Sequence, residues 1–219
     1  MVRTVLLAAI LLAVPLARVS AAQAAGPLAV TGIVQPVPGP TICMQGETHF
    51  LECTQVFLKS NVVDLNALVG QTLFLNGFDV GVTCHVIQVV AAQPANATLE
   101  WCGTPTLGCA VKFKVCPGPL AVGLLFLSTG TAFLPVFLPL NLAPQAVLIS
   151  PPFIPVPLSI GGGCFQSTIP IPVDLSLVGA NFWLQGARMD IGPVGPMQLT
   201  NAVCLTILPP LPPCIPPGC

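Results

Sequence analysis

The side chains that could carry acid–base, thiol or metal chemistry are few. There are two histidines, His49 and His85, seven carboxylates (Glu47, Glu52, Asp64, Asp79, Glu100, Asp174 and Asp190) and ten cysteines. A hydrolytic triad needs a nucleophile, a base and an orienting acid. Only the two histidines can serve as the base, and the chain has no Gly-x-Ser-x-Gly elbow to present a serine. His85 alternates with Cys84 on a strand-like run and reads as an outward-facing polar residue. Glu47 and Glu52 are paired carboxylates of the kind a glycosidase uses, but they flank a disulfide hairpin and nothing fixes their separation. Gly161-Gly162-Gly163 is followed by neither Lys-Ser/Thr nor a helix, so it does not read as a phosphate loop. Asp190 beside Gly192 is expected to be a solvated turn residue in preference to a calcium ligand. The expectation is therefore no catalytic residue, no cofactor and no metal. Trp101 and Trp183 are the possible ligand contacts, although the absence of tyrosine weakens a stacking platform. Trp183, between Phe182 and Leu184, is expected to be buried between packed sheets.

The cysteines are Cys43, Cys53, Cys84, Cys102, Cys109, Cys116, Cys164, Cys204, Cys214 and Cys219. An even count in an exported chain reads as a disulfide framework. Zinc is the sharper alternative, with His49 between Cys43 and Cys53 and His85 after Cys84. No Cys-x-x-Cys occurs, however, and two histidines cannot complete several sites. Order alone leaves the connectivity open. Short spacings suggest Cys109–Cys116, Cys214–Cys219 and a hairpin pairing of Cys84 with Cys102, with Cys43–Cys53 and Cys164–Cys204 completing the set.

Export follows from the N-terminus. Arg3 precedes an apolar run from Val5 to Leu16, which is interrupted by Pro15 and leads to Ala22-Gln23-Ala24, the parts of a signal peptide cleaved after residue 24. The run is too short to span a bilayer. Cleavage removes Arg3 and Arg18, leaving Lys59, Lys112, Lys114 and Arg188 against the seven carboxylates. That balance excludes an electrostatic nucleic-acid binder. Charged residues make up only 6% of the 219 residues and hydrophobic ones 54%, with a mean hydropathy of +0.90. Yet 26 prolines and 20 glycines make a bundle of spanning helices implausible. No charge occurs between Lys114 and Asp174. The most apolar part, Leu120 to Leu140, is broken by Ser128-Thr129-Gly130-Thr131, Pro135 and Pro139, and reads as two buried strands and a turn, in contact with a membrane at most. So apolar a surface implies partners: copies of itself or other envelope or extracellular components. Asn96-Ala97-Thr98 is a sequon that matters only in a glycosylating host.

The elements that must position these residues are strands. Thr31–Val34, a pair around His49 to Lys59, the Leu73 strand, Val82–Val90, Phe165–Val173 and Gln198–Ile207 alternate or are β-branched, with Gly/Pro turns between them. Along Phe165–Val173 the period of two places Phe165, Ile169, Ile171 and Val173 on one face. The fold class is all-β: a small OB-like Greek-key barrel (residues 25–98) followed by an antiparallel β-sandwich (99–208), stapled by disulfides and ending in a proline-rich tail (209–219). That tail is expected to run as polyproline II, closed on itself by Cys214 and Cys219 and separate from the domain. Asp64-Leu65 through Leu68-Val69-Gly70 to Leu75-Asn76-Gly77 echoes Asp174-Leu175 through Leu177-Val178-Gly179 to Leu184-Gln185-Gly186. Duplication and the ordinary look of a turn before a strand both account for it.

From Leu99 to Ile207 the chain resembles a C-terminal module of exported proteins of planctomycetes and related bacteria. The resemblance is carried by Ile171-Pro172, Leu177-Val178-Gly179, Phe182-Trp183-Leu184-Gln185, Asp190-Ile191-Gly192, and Thr200-Asn201-Ala202 leading to Thr206-Ile207. It implies export and a β-sandwich and brings no catalytic residue or ligand. Together these features suggest a non-catalytic β-module, secreted or at a bacterial cell surface, with a structural, adhesive or interaction role. The rival is an extracellular glycan- or small-ligand-binding module.

Overall fold

The computed structural model describes residues 26–41, 43–116, 121–138, 144–161, 164–190, 197–210 and 214, and the expected signal segment lies outside them. Among the described residues there is no α-helix. The first five strands are β1 (Leu28–Pro36), β2 (His49–Leu51), β3 (Val56–Lys59), β4 (Thr72–Asp79) and β5 (His85–Pro94). They close in the order β1-β2-β3-β5-β4-β1, with β3 and β5 parallel and the other pairs antiparallel. This is the OB-type Greek-key barrel that the strand pattern predicts. Alternation fills its interior: Val30, Leu51, Leu58, Leu75, Ile87 and Val89 are all 1% exposed or less. The core thus follows from the period of two, which sends every second apolar side chain inward. Where β4 crosses β5, a bulge falls between Asn76 and Gly77, and a Cβ on Gly77 would collide with the Gln88 carbonyl. Only glycine allows that approach.

Ten further strands follow: β6 (Thr98–Gly103), β7 (Ala110–Cys116), β8 (Ala121–Ser128), β9 (Thr131–Val136), β10 (Gln145–Ile149), β11 (Ile154–Val156), β12 (Ser159–Gly161), β13 (Cys164–Pro170), β14 (Asn181–Asp190) and β15 (Met197–Thr206). Two four-stranded sheets, β11-β8-β14-β15 and β12-β13-β7-β6, pack over a core of Val111, Phe113, Val115, Leu125, Leu184 and Val203. The strands on either side of Ser128–Gly130 exist as expected, but they do not pair with each other. β8 stays in the sandwich, whereas β9 and β10 cross over and extend the barrel sheet, β10 lying parallel to β1 at Ala29 and Gln145. Phe165–Val173 is shorter than expected. The strand ends at Pro170, and Val173, placed by alternation on one face with Phe165, Ile169 and Ile171, is 80% exposed, whereas Ile171 is buried.

Three amide side chains fasten one sheet to another by imitating backbone. The Leu99 N–H donates to Asn201 Oδ1 at 2.9 Å and Asn201 Nδ2 donates to the Leu99 carbonyl at 3.1 Å, docking β6 on β15. Gln145 does the same for β10, accepting from Leu199 N–H at 2.8 Å and donating to the Met197 carbonyl at 2.9 Å. Gln185 accepts from Leu148 N–H at 2.8 Å and donates to the Thr200 carbonyl at 2.9 Å. All three residues are buried, so each bond satisfies a group that water cannot reach.

The disulfides correct the pairings suggested by spacing. They join Cys43 to Cys84, Cys53 to Cys204, Cys109 to Cys214 and Cys116 to Cys164. Cys102 is also disulfide-bonded. Cys109 and Cys116 cannot meet because the seven extended residues of β7 separate them, about 20 Å of chain. Cys164 falls instead on the rung next to Phe165–Val115, opposite Cys116. Cys43 and Cys53 each find a partner on another element, and the Cys53–Cys204 bridge ties the β2–β3 turn of the barrel to β15 across 151 residues of sequence. The tail is not an appendage closed on itself. Leu208 donates to the Pro105 carbonyl at 2.7 Å, and Cys214 is bonded to Cys109 at the start of β7. Most of the remaining tail, with Cys219, lies outside the described residues.

Candidate functional site

A cleft of about 350 Å³ opens where the barrel meets the sandwich. Its barrel wall is Ile33, Glu52, Cys53 and Thr72, and its other wall is Thr98 to Trp101 of β6 together with Asn201 to Cys204 of β15. The Cys53–Cys204 disulfide fixes one wall against the other, and the Asn201 amide rungs hold β6 to β15 within the second wall. Trp101 belongs to β6, the edge strand of its sheet, and is 41% exposed. An edge strand leaves such a ring free on one side, which explains how so large an apolar group stays accessible. The Glu52 carboxylate is held by Gln35 Nε2 at 3.0 Å, and Glu100 projects from the exposed face of β6. No lysine or arginine lines the cleft. An aromatic face beside hydroxyls and two carboxylates suits a ligand rich in hydrogen-bond donors and C–H surface, and disfavours an anion.

The structure therefore brings Trp101 together with Glu52 and Glu100, not with Trp183. Trp183 lies on β14 opposite Cys204 and Ser128 and is half-buried, while its neighbours Phe182 and Leu184 face the sandwich interior. The Glu47–Glu52 pair is not assembled. Glu47 accepts from the Gln45 N–H at 2.7 Å and takes no part in the cleft. Residues 191–196 beside Asp190 lie outside the described residues. Asn96 of the sequon is exposed, and its carbonyl accepts from Arg188 Nη1 at 3.0 Å.

The two histidines sit in different settings. His49 is buried and places Nδ1 2.8 Å from Thr48 Oγ1, beside a polar pocket that includes Ser60, Asp64 and Asn66. Burial holds its pKa below the usual imidazole value, against the opposing charge of Asp64 and a hydrogen bond with Asn66. His85 is half-exposed, stacks on Phe133 with ring centroids 4.3 Å apart, and places Nδ1 2.9 Å from Asp79 Oδ2. Burial alone would raise the Asp79 carboxyl. The hydrogen bond and charge of His85, with backbone hydrogen bonds from Gly81 and Val86, bring it below its ordinary value. Sequence reasoning missed this pair. The signal was Asp79 and His85 flanking one turn between two strands. An oriented imidazole is two-thirds of a triad, but the small pocket beside it is lined by Gln55, Val56, Thr131, Ala132 and Phe133, and no serine or thiol adjoins it. Among the described residues no group of three histidine, cysteine, aspartate or glutamate side chains is placed to hold a metal. Comparison with protein-family models, curated proteins and solved structures found no match to the chain.

Proposed function

We propose that this chain is a non-catalytic, exported β-module that acts by surface interaction, in adhesion or in envelope or matrix structure, through the cleft at Trp101. The carrying observation is that Trp101 stands 41% exposed at a cleft whose two walls are joined by a disulfide and whose Trp101 wall is braced by amide rungs. A preorganised recognition surface loses little entropy on binding. The N-terminal Arg3–Ala24 pattern and the resemblance of residues 99–207 to a module of exported bacterial proteins support secretion or cell-surface display. Disulfides in both units are consistent with an oxidising compartment. Cell fractionation tests the location: the mature chain is expected to begin near Ala25 and to occur outside the cytoplasm, and a cytoplasmic chain that retains Met1 contradicts it.

The second reading, a glycan-binding module, is favoured by Thr72, Thr98, Glu52 and Glu100 around the exposed indole. Binding of the purified chain to isolated envelope material and to a glycan array, each with Trp101→Ala alongside, separates the readings. Retention on envelope material that is lost in Trp101→Ala supports the first. Specific glycan binding lost in the same variant replaces it with the second. If neither surface binds, or Trp101→Ala changes nothing, the cleft is not the site.

A further inference from the structure

The sandwich contains an apolar cavity of about 110 Å³, open on one side, at the place where the barrel has a closed seam. In the barrel the third and fifth strands pair in parallel, from Val56–His85 to Lys59–Gln88, and the interior behind them is filled. With the short strands β11 and β12, which lie in different sheets, together in the place of β2, the second unit follows the same order for four of the five connections: β8 pairs with β14, β14 with β15, β11 with β8, and β12 with β13. The fifth pairing is missing. β13 binds β7 instead of β15, so the two edges part. The cavity lies in that gap, walled by Val111 and Phe113 of β7, Ile169 of β13, Phe182 of β14 and Leu205 of β15, with Leu177 added by the 3-10 turn before β14.

Every described residue lining the cavity is apolar. Protein interiors are close-packed, and a void of this size is of the order that takes up a benzene-sized guest when its walls offer water no partner. Ile169, Leu177 and Phe182 pack against the core yet remain partly exposed, so an occupant would cover surface that the fold leaves open. The walls offer nothing to orient a polar ligand, and the open side lets one end of a guest reach solvent.

We propose that this cavity is a binding site for the hydrocarbon chain of a small amphiphile, with the chain inserted between β13 and β15 and the polar head outside. It goes beyond the surface-interaction reading and shares no lining residue with the Trp101 cleft, only the β15 strand. The test is calorimetric titration of the full disulfide-bonded chain with decanoate, below its micellar concentration, and with acetate, which has the same head and no chain. Decanoate is expected to bind saturably and acetate not at all. Val111→Phe and Leu177→Trp, which fill the cavity from different walls, are expected to weaken decanoate binding at least tenfold, while Trp101→Ala leaves it unchanged. Leu177 is only half-buried, so Leu177→Trp folds even if Val111→Phe overpacks. Absence of saturable decanoate binding would mean a dry void and overturn the proposal. So would binding that survives in Leu177→Trp, which places the guest elsewhere.

Discussion

The two units of this chain carry one device and finish it differently. In both, an aspartate accepts from the N–H two residues on, Asp64 from Asn66 at 3.1 Å and Asp174 from Ser176 at 2.9 Å, and starts a single 3-10 turn. In both, a Leu-Val-Gly follows whose glycine has a left-handed backbone, with φ of 78° at Gly70 and 82° at Gly179. Both then enter a strand with a bulge at Leu-x-Gly, between Asn76 and Gly77 and between Gln185 and Ala187. The echo in the sequence thus extends to turn, backbone and strand position, which favours duplication over coincidence. What differs is the last pairing. The barrel closes on itself, whereas the second unit accepts the β6–β7 hairpin as a wedge and remains open. Closure removes sheet edges and fills a core. Opening leaves an edge, which carries Trp101, and a gap, which is the apolar cavity. The apolar cavity belongs to the unfinished unit, and the Trp101 cleft lies between that unit and the barrel.

That contrast can be broken at its fasteners. Replacing Cys53 and Cys204 together by serine removes the bridge between units. With 151 residues enclosed, the expected loss is about 4–5 kcal/mol, measured by urea unfolding without reductant. A loss near zero would mean that the units hold together without it. Ending the chain after Leu208 removes the Cys109–Cys214 bridge and should cost roughly 3–4 kcal/mol. Hydrogen exchange should show the loss of protection in β6 and β7 and little in the barrel, and uniform loss would deny that the units differ. Asn201→Ala strands the buried Leu99 N–H and carbonyl, at about 2–3 kcal/mol. Asn181→Ala, which loses only an exposed bond to Thr206 Oγ1, should stay within about 0.5 kcal/mol.

The barrel was legible because its signals are local. Alternation around Leu73, Leu75 and Gly77 gives the strand, and Gly/Pro punctuation gives the turns. The disulfides were not, because spacing along the chain says little once strands are extended. Cys109 and Cys116 are close in sequence and far apart in space, whereas Cys53 and Cys204 are the reverse. Gln145, Gln185 and Asn201 were hidden for a related reason. A buried amide that mimics a β-rung depends on which strand edge lies opposite, and periodicity does not say. Of the candidate ligand contacts, Trp101 was singled out by its residue type, but its cleft partner Glu52 comes from the other unit.

The smallest expected effect lies at the turn between β4 and β5. The Asp79 carboxyl is held below its ordinary pKa, so its contribution is present above the unfolded carboxylate value of about 4 and is lost as pH falls through the lower folded value. Stability followed by urea unfolding from pH 7 to pH 2 should decline less steeply at the acid end in Asp79→Asn than in the parent. An unchanged slope would remove the His85–Asp79 pair from the account.

The central claim, that long-range bridges join a closed barrel to an open sandwich built on the same turn-and-strand device, is tested most directly by mapping disulfides in the purified chain by mass spectrometry without reduction. The account predicts peptides linking Cys43 to Cys84, Cys53 to Cys204, Cys109 to Cys214 and Cys116 to Cys164. Local links of Cys43 to Cys53 or of Cys109 to Cys116 would contradict it, because neither can form with the strands arranged as described.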